Sequence, residues 1–208
     1  MKPNVAEENL QTIRTLMERS AVYRRALAPV MIYCGVCGLA GGAVGDLGKF
    51  DSDRSFALVW TVTALVALGG SGWLMRRQAL KDAEPFWSPP VRRIAQAVAP
   101  AFLVGGAIAG MLILEENETG PGAMSPVIGL WCVTFGCGVH AAGFFLPRGL
   151  RWFGWLFVLA GLALLVTGTG DFFPSNLSPQ LLMAAIFGGL HLAYGVYLYF
   201  TEQKDSAV

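Results

Sequence analysis

The chain has 208 residues, of which 54% are hydrophobic and 14% charged, with a mean hydropathy of +0.53 and a formal net charge of +1. An ordinary globular domain carries roughly 25% charged residues, because its core must be covered with polar surface. This composition excludes a disordered chain, a nucleic-acid-binding domain and a disulfide-stapled secreted scaffold, and it leaves a polytopic membrane protein.

Residues 1–25 come first and carry charge throughout, with no apolar signal-peptide core, so the first span is expected to act as an uncleaved signal anchor. Leu10, Ile13, Leu16, Met17 and Ala21 recur at helical spacing within residues 5–25. Asn4 and Glu7 have the spacing of a capping box. Together they predict an amphipathic helix lying at the cytoplasmic membrane surface, or docking a cytoplasmic protein.

Six apolar stretches follow, at 26–45, 55–75, 94–114, 126–146, 152–170 and 179–200. About 20 apolar residues cross roughly 30 Å of hydrocarbon. None of the six holds an Asp, Glu, Lys or Arg. A charge at bilayer depth costs about 3 kcal/mol or more, so complete segregation predicts an all-α fold with six transmembrane helices in 26–200 and a cytoplasmic tail at 201–208.

The flanking charges give an orientation. Thirteen of the fifteen basic residues fall in the N-terminal segment, the 76–93 loop, the 147–151 loop and the tail. The opposite loops hold only Lys49 and Arg54, with Asp46, Asp51, Asp53, Glu115, Glu116, Glu118 and Asp171. The positive-inside rule then puts both termini in the cytoplasm. In the 76–93 loop, Pro85, Pro89 and Pro90 are expected to block a helix, with Phe86 and Trp87 anchoring at headgroup level. Glycosylation sequons at Asn117 and Asn176 lie on the outer side and carry no weight at this length.

The chain also compares with itself. Ala26-Leu27-Ala28-Pro29 returns 71 residues later as Ala97-Val98-Ala99-Pro100, and Trp60-Thr61-Val62-Thr63 returns as Trp131-Cys132-Val133-Thr134 at the same offset. The same shift carries Asp46 onto Asn117. Gly138-Val139-His140 matches Gly189-Leu190-His191 at an offset of 51. This predicts three tandem two-helix hairpins in one orientation, an arrangement whose ligand sites commonly lie between repeats. Glycine clusters at 41–45, 69–72, 105–110 and 188–189 are read as close helix packing.

Chemistry has few candidates. His140 and His191 are the only histidines, and the repeat puts them at equivalent depth on the fourth and sixth spans. Paired imidazoles suit a haem, a metal, a proton relay or a polar substrate, and they serve equally as interhelical hydrogen bonds. Cys34-Gly35-Val36-Cys37 has redox spacing, and Cys137 stands one turn before His140, but buried free cysteine is also an ordinary small apolar residue. Gly69-Gly70-Ser71-Gly72 matches the Gly-x-Ser-Gly of rhomboid proteases. It sits in the second span instead of the fourth, without a helix-2 His-x-x-x-Asn, so that reading is rejected. No catalytic grouping stands out, and the chain leans away from enzymes.

Segments 8–19 (Glu8 to Arg19), 84–89 (Glu84-Pro85-Phe86-Trp87-Ser88-Pro89) and 189–195 (Gly189 to Gly195) resemble a group of bacterial six-helix integral membrane proteins of no known activity. The resemblance implies a bacterial inner-membrane location and no particular chemistry. The leading expectation is a transporter-like or ligand-binding membrane component, in a homo-oligomer or with a partner membrane subunit. The alternatives are a haem- or metal-binding redox subunit using His140 and His191, and a membrane anchor or sensor acting through the N-terminal helix.

Overall fold

The computed structural model describes residues 27–50, 52–83, 85–114, 124–146, 149–167 and 178–205. The segment 1–25 expected to form an amphipathic helix, the sequon asparagines Asn117 and Asn176, and the acids Asp51, Glu115, Glu116, Glu118 and Asp171 lie outside the described residues. Among the described residues, seven α-helices run in chain order: α1 (Leu27–Leu47), α2 (Asp53–Lys81), α3 (Pro89–Leu114), α4 (Met124–Ala142), α5 (Gly149–Thr167), α6 (Pro179–Met183) and α7 (Leu190–Asp205). A π-helical turn, Ala184–Gly189, joins α6 to α7. Ala184 and Leu190 keep helical dihedrals at both junctions, so α6, the π turn and α7 form one rod. Among the described residues there is no strand.

Five of these helical stretches are long and apolar enough to cross a membrane: Leu27–Leu47, Asp53–Lys81, Val91–Leu114, Gly149–Thr167 and Pro179–Thr201. Pro126–Ala142 is a shorter apolar helix. The expected fourth span, 126–146, is cut at Ala142 because Gly143 turns the chain, its N–H reaching both the Val139 and His140 carbonyls. The 76–93 loop contracts from both sides. α2 continues through Arg76 and Arg77 to Lys81, and Pro89 and Pro90 open α3 instead of blocking it. The first turn of a helix has no acceptor for its N–H groups, so proline is at home there. α5 likewise begins at Gly149, which brings Arg151 into the helix.

Side-chain caps define two helix starts at the end that joins α1 to α2 and α5 to α6. Ser52 caps α2 by accepting from the Ser55 N–H, and Ser178 caps α6 by accepting from the Leu181 N–H, with Pro179 following. We call this the upper end. The α2–α3 and α4–α5 connections lie at the lower end.

Two pairs of antiparallel helices meet through glycine. On α4, Gly129 faces Gly161 of α5, and Gly136 faces Gly154; Gly143, just past α4, lies against Arg151. A Cβ on Gly136 would stand 2.7 Å from the Gly154 oxygen and 2.8 Å from the Val158 nitrogen. On α1, Gly35 meets Leu192, Gly38 meets Gly188, Gly42 meets Ala184, and Gly45 meets the Gln180 side chain. Gly195 completes this seam against Ile32. Many of these glycines are seven residues apart, close to two helical turns, so each set stays on one face. Lipid offers no hydrophobic drive between helices, and close backbone approach supplies the attraction through dispersion.

Other contacts close most of a ring. α2 docks on α1, with the Tyr33 hydroxyl donating to the Val66 carbonyl at 3.0 Å and Thr63 seated on Gly41. α3 docks on α4 through Ala101 on Gly138 and Phe102 against Phe135. α5 meets α7 where Phe153 stacks on Tyr194, with centroids 4.6 Å apart. The weak side of the ring lies at α2 and α3. Only 6% of the apolar stretch of each is buried, against 39% for α5 and for the α6–α7 rod. Gly69, Gly72, Gly106 and Gly110 meet nothing there, which corrects the expectation that every glycine cluster marks a packed seam.

The two kinds of glycine predict opposite outcomes. Gly136→Ala should cost about 1–3 kcal/mol by overpacking, and Gly106→Ala should stay within about 0.5 kcal/mol of the parent. Denaturant unfolding in bicelles distinguishes them, and equal effects at the two sites would contradict the packing described.

Candidate functional site

The upper end is tied by a polar knot that the charge pattern did not reveal. Gln180, only 1% exposed, accepts from Trp60 Nε1 at 2.8 Å and donates through Nε2 to the Phe50 carbonyl at 2.9 Å. Gly45 leaves the room that the Gln180 side chain fills. Ser178 Oγ donates to Asp46 Oδ1 beside it. Below the knot, Phe56 stacks on Trp131, with centroids 5.8 Å apart and planes at 15°, and tilts against Trp60. The repeated tryptophans, Trp60 and Trp131, thus flank the same phenylalanine. Their companion threonines behave alike: Thr63 donates to the Val59 carbonyl and Thr134 to the Leu130 carbonyl, each four residues back.

His191 stands in the middle of the bundle and is 4% exposed. Phe135, Phe153, Phe157 and Phe187 surround its ring at centroid distances of 5.1–5.4 Å. Its Nδ1 is 2.7 Å from the Phe187 carbonyl oxygen. A carbonyl only accepts, so Nδ1 carries the hydrogen. An uncharged ring then has its lone pair on Nε2, which has no partner among the described residues. Phe187 lies within the π turn. Such turns are concentrated at functional sites.

A cavity of about 300 Å³ lies beside this ring, toward the lower end. It is walled by Leu27, Met31 and Cys34 of α1, Thr63, Ala67 and Ser71 of α2, Val98 and Phe102 of α3, Phe135 and Val139 of α4, Leu150 of α5, and Phe187 and His191. Among the described residues no Asp, Glu, Lys or Arg borders it. Cys34 Sγ and Ser71 Oγ share a hydrogen bond at 3.2 Å on the wall. A second cavity of about 340 Å³ adjoins it between α2, α3 and α4, sharing Trp60, Ala64, Leu68, Phe102, Phe135 and Phe187. Gly105 and Gly106 line that second space.

The residues singled out by sequence are not brought together. His140 is half-buried; its Nδ1 faces the Arg151 carbonyl at 3.3 Å, and its ring lies edge-on to Phe144 and Trp155. His191 meets α5 at Phe153 and Phe157 instead. At 3.6 residues per turn those are nearly opposite faces of α5. The two imidazoles therefore share no ring neighbour, and the equal placement that the repeat predicts is not matched in their surroundings. Cys137 is exposed, away from the His191 cage. Cys34 borders the cavity with Ser71, while Cys37 does not. Among the described residues no group of three or more His, Cys, Asp or Glu is placed to hold a metal ion. Gln180 went unnoticed because glutamine carries no charge and sits in the first turn of an apolar stretch. The one signal was an amide at membrane depth.

No family model, curated protein or solved structure matches the chain.

Two outcomes follow from this geometry. Gln180→Leu strands a buried indole N–H and a carbonyl, and should lower stability by about 1–3 kcal/mol, measured by unfolding in bicelles; an unchanged stability would contradict the knot. Haem-replete expression should yield protein with no Soret band, since the two imidazoles do not converge. A band lost in both His140→Leu and His191→Leu would show that they do.

Proposed function

We propose that the chain is a six-span inner-membrane protein that binds an apolar ligand in the space beside His191, a ligand-binding component with the site of a small transporter. The single observation that carries this reading is the cavity of about 300 Å³ bordered by apolar residues of α1 to α5, the π turn and α7, with no Asp, Glu, Lys or Arg among the described residues of its wall. Ligand pockets characteristically combine apolar walls with a few convergent polar groups. Here those groups are His191, Thr63 and the Cys34–Ser71 pair.

Three further points support the reading. Each proposed hairpin contributes to the wall: Leu27 and Ser71 from the first, Val98 and Val139 from the second, Leu150 and His191 from the third. That fits a site between repeats, as in transporters built from parallel repeats. The Trp60–Gln180 contact and the Phe56–Trp131 stack stand toward the upper end, and the cavity extends toward the lower end. The basic flanks of α2, α3 and α5 lie at that lower end, which the positive-inside rule assigns to the cytoplasm along with both termini. Acyl chains are the proposed partners of the exposed apolar flanks of α2 and α3.

The test is photolabelling in vesicles with an uncharged alkyl diazirine, followed by peptide mass spectrometry. Labels are expected on Thr63, Ser71 or Val139, inside the wall. Ala64→Trp, which fills the junction of the two cavities, should reduce that labelling at least about tenfold with the helical circular dichroism unchanged. Labelling restricted to outward-facing residues such as Val62, Leu103 and Leu159 would overturn the reading.

A further inference from the structure

We infer that the ligand is an uncharged, lipid-like molecule with one hydroxyl group, donated to His191 Nε2, and that it reaches the cavity sideways from the bilayer between α2 and α3. The inference rests on the ligand-binding reading above and adds the ligand's chemistry and route.

The hydrogen bonds of the wall determine the polarity. His191 has given its Nδ1 hydrogen to the Phe187 carbonyl, and Nε2 accepts. Thr63 has given its hydroxyl hydrogen to the Val59 carbonyl, which leaves only lone pairs on Oγ1. Trp60 has given its indole hydrogen to Gln180. Cys34 and Ser71 spend one hydrogen on each other. The first cavity's wall thus keeps one donor hydrogen, on the Cys34–Ser71 pair, beside its acceptors, the strongest being an imidazole nitrogen; the second cavity adds the unpartnered Thr61 hydroxyl and Trp131 indole N–H. A guest that satisfies the imidazole nitrogen must bring a donor. With no Asp, Glu, Lys or Arg among the described residues of the wall, a charged head would have no counter-ion there in a low-dielectric space, so the donor is neutral.

The shape determines the rest. The first cavity has roughly the liquid volume of ten waters at about 30 Å³ each, which suits a small head group with the start of a chain. The second cavity continues it toward the flank where Gly106 meets nothing and α2 and α3 are least buried. A chain threaded between these helices needs no aqueous path. It exchanges one apolar environment for another, and the discriminating contact is the hydroxyl on Nε2. A buried polar acceptor left unpaired is what penalises the analogue without the hydroxyl.

Competition against the alkyl diazirine tests this on the intact protein in phosphatidylcholine vesicles. Dodecanol, dodecane and dodecanoate are compared at matched mole fraction in the membrane. Dodecanol should block labelling of the wall at about tenfold lower mole fraction than dodecane, and dodecanoate should be weakest. His191→Phe, which keeps an aromatic ring in the cage, should bring dodecanol to the level of dodecane. In the unaltered protein labelled with ¹⁵N-histidine, the Nε2 resonance should move with dodecanol and not with dodecane, a readout that needs no variant to fold. Equal competition by dodecanol and dodecane, with a still resonance, would overturn donor recognition while leaving the cavity as a ligand site. Dodecanoate as the best competitor would overturn the uncharged ligand. No competition by any of the three would overturn the inference and the ligand-binding reading together.

Discussion

Everything in this bundle depends on how closely two helix backbones approach in a solvent that does not push them together. Lipid tails are as apolar as the side chains, so attraction comes from dispersion at short range and from hydrogen bonds. The chain meets that constraint with glycine. α4 and α5 lie against each other at Gly129, Gly136, Gly154 and Gly161, and α1 lies against the α6–α7 rod at Gly35, Gly38, Gly42 and Gly188. The first and last spans are thereby joined, and the chain folds back into a ring.

Where the glycines do not meet a neighbour, the ring is loose. α2 docks on α1 and α3 on α4, and α2 and α3 also touch each other, but Gly69, Gly72, Gly106 and Gly110 on these two helices have nothing opposite. The cavities lie on that side. A void in a soluble core costs stability through lost contacts. In a membrane, the same void can exchange its contents with acyl chains, so a loose flank beside two tight walls need not carry that cost.

Polar groups finish the arrangement at two depths. At the top, Gln180 meets Trp60 and the Phe50 carbonyl, so the α6 start, α2 and the end of the α1 turn are held together. At mid-bundle, the π turn presents Phe187 to His191 as both an aromatic neighbour and a hydrogen-bond acceptor. That one local departure from α-helical geometry decides which imidazole nitrogen is left for chemistry. His140 has no such setting. It sits at the end of α4 beside Gly143 and Arg151, with its ring against Phe144 and Trp155.

The sequence by itself determined the helical class and the apolar stretches, because a charge in hydrocarbon is so costly that its absence marks them. It also singled out His191, one of two ionisable rings left inside. It did not reveal which glycines pack, since a glycine in a seam and a glycine facing lipid look alike along the chain. It misplaced Pro89 and Pro90, because a proline that breaks a helix interior also suits its first turn. It treated His140 and His191 as equals, because an offset in sequence says nothing of which face of α5 each meets. Tertiary structure alone decided those points, along with the Gln180 knot and the open acceptor on His191. Each depends on which atoms from distant segments arrive within a few ångströms, and that distance is set by backbone approach across the helices and not by spacing along any one of them.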